Sequence, residues 1–113
     1  MSMEKKYKVH ITRYALEQID EIKQYIVNEL FAPQAAKELL LAIKETIASL
    51  EVLPFRNPLV DEEKWRKQGI HRTAVKNFLV YYWVDEEKNV VYITAVVYGK
   101  REQLRQLEEM DME

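Results

Sequence analysis

Side chains of the kinds that do chemistry are few in this chain, and their spacing excludes most familiar sites. Among 113 residues there are two histidines, two serines and no cysteine. That removes thiol catalysis, thiolate-bound zinc and disulfides together. A serine–histidine–acid arrangement has poor candidates: Ser2 lies at the start of the chain, and Ser49 sits late in an amphipathic run with no elbow motif around it. His10 alternates with apolar strand residues and reads as a surface position. His71 lies inside a basic segment and is the better candidate for binding or proton transfer. Neither His-x-His nor His-Glu-x-x-His occurs, and the paired acids fall in turns, so no metal site is expected. With Gly69 and Gly99 the only glycines, there is no glycine-rich phosphate loop and no cofactor is expected.

The cations are better placed than the nucleophiles. The net charge is −2, but Lys64, Arg66, Lys67, Arg72 and Lys76, with His71, follow one another without an acid between them. Lys100, Arg101 and Arg105 form a second group, and the acids gather at 61–63, 85–87 and in the tail. One reading is ordinary solvated surface. The other is a positive face for an acidic peptide or a nucleic-acid backbone, although an acidic chain is a poor non-specific nucleic-acid binder. Gly99 ends a strand, and Lys100-Arg101 opens the next element. A guanidinium there suits a phosphate or carboxylate held bidentately.

The elements that must position these groups follow from periodicity. Tyr7, Val9 and Ile11 alternate with polar residues, as in a half-buried strand. Thr12 is a natural N-cap for a helix whose stripe is Ile19, Ile22, Ile26 and Leu30. Phe31-Ala32 breaks it, and Pro33 suits the first turn of a second helix. Ala36, Leu39, Leu40, Ile43, Ile47 and Leu50 carry that stripe towards Leu53, before Pro54 and Pro58 stop it. A loop over 55–68 leads through Gly69 to strands at 70–75, 78–84 and 90–98, and a last short helix is predicted from about Arg101 to Met110. The order β-α-α-β-β-β-α describes an α+β fold: a small, mainly antiparallel sheet with a helical hairpin on one face. The length suits one domain, residues 1–113. With no signal-like start and no run near the ~20 apolar residues of a membrane helix, a soluble, cytoplasmic protein without membrane association is expected.

That arrangement leaves a question about "NFLVYYWV". Phe78, Val80, Tyr82 and Val84 point to one face, and Leu79, Tyr81 and Trp83 to the other. On the last strand, Val91, Ile93, Ala95 and Val97 alternate with Val90, Tyr92, Thr94, Val96 and Tyr98. One hairpin covers one face. The other is expected to expose aromatics to a partner, unless the last helix folds back over it. The expected binding set is Arg72, Lys76, Tyr81, Tyr82, Trp83, Tyr92, Lys100, Arg101 and Arg105.

The stretches "AAKELLLAIKETIASLEVLPFRNP" and "GIHRTAVKNFLVYYWVDEEKNVVYITAVVYGKRE", in this order and spacing, resemble the RelE/ParE superfamily of bacterial type II toxins. The resemblance covers nearly the whole chain. It implies a small α+β toxin wrapped by an extended antitoxin, with a homodimer or a toxin–antitoxin hetero-oligomer as possible assemblies. RelE-like members cut messenger RNA on the ribosome, which requires cations and a proton donor and acceptor. ParE-like members poison DNA gyrase. Matching the RelE pattern retains Arg101 but puts Phe78 where an arginine is required and Leu107 on or near the position of a tyrosine. "NFLVYYWV", the long hairpin and the Pro54–Pro58 loop look closer to ParE. The resemblance therefore implies gyrase poisoning. The alternatives are an endonuclease using Arg101 with Tyr98 or His71, and an inactive homologue that only binds or regulates.

Overall fold

The computed structural model describes residues 5–99. Strand β1 (Lys8–Ile11) is followed by helices α1 (Arg13–Asn28) and α2 (Pro33–Ser49), a short helix α3 (Glu63–Lys67), and strands β2 (His71–Val75), β3 (Phe78–Asp85) and β4 (Val90–Tyr98). The sheet order is β1-β4-β3-β2. β2–β3 and β3–β4 are antiparallel, and β1 lies parallel to β4. The predicted helix after Arg101 lies outside the described residues. Within them, the periodicity missed a 3-10 turn at Pro54–Arg56 and the helix α3, both past the end of α2.

Capping sets the ends of the hairpin. Thr12 is in extended backbone, and its hydroxyl accepts the Ala15 N–H at 3.2 Å, satisfying a donor the helix cannot. Both long helices end on right-handed caps, Glu29 and Leu50, and the left-handed residues follow in the connections, Phe31 (φ 50) and Leu53 (φ 51). Leu30 and Leu53, predicted to extend the apolar stripes, lie past the helix ends and are exposed. Ile19, Ile22 and Ile26 of α1, with Leu39, Ile43 and Ile47 of α2, pack onto Val75, Val80, Tyr82, Val91, Ile93 and Val96 of the sheet.

The edge of β4 is covered in two ways. β1 pairs with its first half, from Val90 to Ile93. The chain then turns into α1, whose Gln18 Oε1 accepts the Val96 N–H at 2.8 Å, so a side chain stands in for a missing strand.

The strict alternation predicted for β4 does not hold. Tyr81 pairs with Ala95 and Tyr82 with Ile93, so Thr94 is an extra residue in a β-bulge. Its side-chain hydroxyl donates to the Tyr81 carbonyl at 3.2 Å. Past the bulge the parity reverses. Val96 joins Val91 and Ile93 on the helical side, whereas Ala95 and Val97 turn to the opposite face.

Candidate functional site

The second face of the sheet is not open in the way the sequence suggested. Residues 58–70 form a strap across part of it. The Arg72 N–H donates to the Pro58 carbonyl at 3.1 Å, and the Val60 N–H donates to Ile70 at 2.9 Å, so the strap hangs from the outer edge of β2. Within it α3 turns Trp65 inwards against Tyr81, Ala95 and Val97. Gly69, at φ 79, is the left-handed residue that closes α3. The Ile70 N–H donates back to Trp65, and the Gly69 N–H to Arg66.

Tyr81 and Tyr82, expected at an exposed binding face, are core residues with 1% and 0% of their surface accessible. Burial raises the ionisation of both phenols above the ordinary tyrosine value. At Tyr81 the charge of Arg72 and a hydrogen bond from it oppose the rise, while Glu62 adds to it. At Tyr82 a hydrogen bond from Asn57 and the charge of Arg56 oppose it.

Tyr82 is the centre of a polar hub between sheet and loop. Its hydroxyl donates to the Pro54 carbonyl at 2.7 Å and accepts from the Asn57 amide at 3.0 Å. His71, its cross-strand partner, stacks on the ring at 5.2 Å, and Phe55 meets the imidazole edge-on at 5.7 Å. The imidazole Nδ1 lies 2.7 Å from the Asn57 carbonyl, an acceptor that assigns the proton to Nδ1. His71 is only 7% exposed. It braces the loop.

Trp83 and Tyr92 remain half-buried on the second face. They are register partners whose rings stack at 4.9 Å, and His10 on β1 meets Tyr92 edge-on at 5.6 Å. The ladder spans β1, β4 and β3, and cross-strand aromatic pairs of this kind stabilise a sheet. Tyr98 is exposed beside Phe78, ring centroids 5.6 Å apart.

Of the expected cations, Arg72 is half-buried beside Tyr81, and Lys76 is exposed at the tip of the β2–β3 turn with φ 53. Gly99 packs against that turn. Its N–H donates to the Asn77 carbonyl at 2.9 Å, and an added Cβ would stand 3.2 Å from the same oxygen. A glycine therefore brings the chain close to Lys76 just before Lys100-Arg101. Lys100, Arg101 and Arg105 lie outside the described residues. The structure thus separates His71, Tyr81 and Tyr82, which are built into the core, from Trp83, Tyr92, Tyr98 and Lys76, which reach the surface. Asn57, Trp65 and Thr94 were missed. Trp65 is one aromatic in a charged run, with no periodicity to mark an inward face.

Among the described residues no helix is long and apolar enough to cross a membrane, and no group of three His, Asp or Glu side chains is arranged to hold a metal ion.

A four-stranded mixed sheet with a helical hairpin on one face is the architecture of the small bacterial toxins that act in toxin–antitoxin pairs. The model of the family described as "ParE toxin of type II toxin-antitoxin system, parDE" matches residues 9–103, and the chain belongs to that family. It is the toxin of a type II toxin–antitoxin system. Comparison with curated protein sequences gives no match. Among solved structures, the chromosomal ParDE system of P. aeruginosa is similar with a TM-score of 0.68 and 18% identity, over 83% of this chain and 97% of that one. The RelBE2 toxin–antitoxin complex of Mycobacterium tuberculosis follows with a TM-score of 0.58 and 17% identity, over 82% and 91%. The isolated E. coli RelE toxin has a TM-score of 0.50 and 15% identity, over 91% and 95%. At these identities the structural likeness concerns the fold.

Proposed function

We propose that this toxin arrests growth by poisoning DNA gyrase, and that an antitoxin neutralises it. The observation that carries the choice of target is Phe78. The resemblance to mRNA-cutting toxins requires an arginine at this position, to stabilise crowded phosphate charge. Here the ring packs against the helical-face core and meets Tyr98 edge-on. Of the two candidates for proton transfer, His71 is braced between Tyr82 and Asn57, and Tyr98 is exposed with its ring against Phe78. A gyrase poison needs no catalytic residue of its own; it needs a shaped, charged surface. Lys76, at the end of the sheet that leads into Lys100, Arg101 and Arg105, supplies part of one.

The test is direct. Purified toxin is incubated with gyrase, ATP and plasmid, and trapped cleavage complexes are released by denaturant and protease. Accumulation of linear plasmid supports the proposal. Undisturbed supercoiling, together with fresh cuts inside translated codons of messenger RNA, overturns it in favour of the endonuclease.

A further inference from the structure

The turn after α2 is a rigid mount for apolar side chains left in solvent. Leu53 is 62% exposed and Phe55 49% exposed. Leu53 also has left-handed backbone, which costs a branched side chain about 1–2 kcal/mol relative to the usual conformation. The turn is fixed from both sides. Outside, Arg56 Nη1 donates to the carbonyls of Ser49, Val52 and Leu53 at 3.2, 2.7 and 3.2 Å, and Nη2 donates to Ser49 Oγ at 2.7 Å. Inside, the Tyr82 hydroxyl holds Pro54, while His71 and the Tyr82 hydroxyl hold Asn57. A loop held this firmly loses little conformational freedom when something binds it.

Beside the turn is an open pocket of about 260 Å³ lined by Lys5, Tyr7, Leu53, Pro54, Phe55 and Arg56. Its lining holds two cations and no acid. It is smaller than the ~300–1,000 Å³ usual for small-molecule sites, and its shape and apolar floor suit single side chains of a peptide. A second copy of this chain is a poor occupant, because a two-fold contact would bring the same cations face to face.

We propose that this turn is a docking point for the antitoxin, taking an apolar side chain flanked by carboxylates. The apolar group fills the pocket between Leu53, Phe55 and Tyr7, and the carboxylates face Lys5 and Arg56. The proposal rests on the partnership with an antitoxin and is independent of the gyrase reading.

The probe is the purified product of the short reading frame beside the toxin gene. Its affinity is measured for the wild-type toxin, for Leu53→Glu/Phe55→Glu and for Phe31→Ser. Phe31 is the internal control, being 84% exposed and left-handed at the opposite end of the hairpin. Truncated or reversed anchors at a buried contact are expected to weaken binding by about 30-fold or more, with Phe31→Ser unchanged. Hydroxyl-radical footprinting of the wild-type complex should show Phe55 protected. Unchanged affinity of the folded double variant overturns the site. So does equal labelling of Phe55 in free and bound toxin, which decides the matter alone if the double variant does not fold. If the wild-type toxin is not bound at all, the antitoxin partnership fails and the docking site with it.

Discussion

The two faces of the sheet are covered by different means. On one side α1 and α2, sixteen and seventeen residues long, lay continuous apolar stripes across four strands. On the other a five-residue helix brings one tryptophan down onto Tyr81, Ala95 and Val97, at the end of a strap hung from a single edge strand. The helical face is mostly aliphatic apart from Tyr7, Phe78 and Tyr82. The strap face mixes aromatics with polar groups: Arg72 reaches the Tyr81 phenol, and Trp65 Nε1 and Glu62 Oε2 are buried with no hydrogen-bond partner among the described residues. Unmatched polar atoms lower the local stability of the segment that carries them. The helical face holds the fold together; the strap face is where the fold can open locally without being lost.

The contrast is broken most severely from the helical side. Ile43 is 2% exposed in the middle of the α2 stripe. Ile43→Asp places an unpaired carboxylate there at a cost of several kcal/mol, against a total stability of about 5–15 kcal/mol for a domain of this size. Loss of the cooperative thermal transition and of soluble expression is expected. A variant that still melts cooperatively would show that the hairpin face is not the main core.

Trp65→Ala tests the other side. Removing a buried tryptophan costs about 3–5 kcal/mol where the surroundings stay in place. The strap is expected to open as a unit, so the global loss should lie at the low end and the signature should be local. Amide exchange over 60–70 should rise steeply, while the amides of α1 and α2 keep their protection. Uniform loss of protection across both faces would mean that the two sides form one cooperative unit.

These two positions also show what periodicity can reveal. Ile43 was legible because a helix repeats its inward position every three or four residues, so several side chains report the same face. Trp65 was not, because a helix of five residues has one inward position and repeats nothing. The bulge at Thr94 was hidden for a related reason. Period-two reading assumes that no residue is added, and one extra residue reverses the face of every side chain beyond it. Hence Val96 and Ala95 were assigned to each other's faces. The exposed aromatic surface was drawn too large for a separate reason: the strap that lays Trp65 on Tyr81 was read as loop. The cations were legible as composition, since charge needs no register. What the sequence did not reveal is that Gly99 approaches Asn77, beside Lys76 in the β2–β3 turn.

At the margin of the helical face lies the Tyr82 hub, and Tyr82→Phe measures its share. The variant keeps the ring stacked on His71 but removes the bond to Pro54 and leaves the Asn57 amide without that acceptor, a loss of about 1–3 kcal/mol. Burial raises the ionisation of Tyr81 and Tyr82 in the folded chain, so between the ordinary tyrosine value and the raised one the unfolded chain binds fewer protons. Stability from this source is therefore fully present below about pH 10 and is lost as the pH rises through the folded-state values. Chemical denaturation of the wild type should weaken above that pH. Tyr82→Phe should start lower and show a shallower alkaline decline. An equally steep decline would assign the effect to Tyr81 and other groups.

The smallest effect is expected at Lys76, outside both cores. Its φ of 53 is strained for a lysine, and the side chain is exposed. Glycine relieves a left-handed backbone worth about 1–2 kcal/mol but loses about 0.5–1 kcal/mol more chain entropy on folding. The net change for Lys76→Gly should therefore be neutral to slightly stabilising. If the cation serves the cell only as solvated surface, toxicity should be unchanged as well. If Lys76 belongs with Lys100 and Arg101 to the surface that meets the target, toxicity should fall while the melting temperature stays level or rises. Arg101→Ala offers the companion test, and combining the two separates shared from independent roles. Two losses that do not add would place both cations on one contact, because neighbouring groups serving a common partner couple, whereas distant groups act independently.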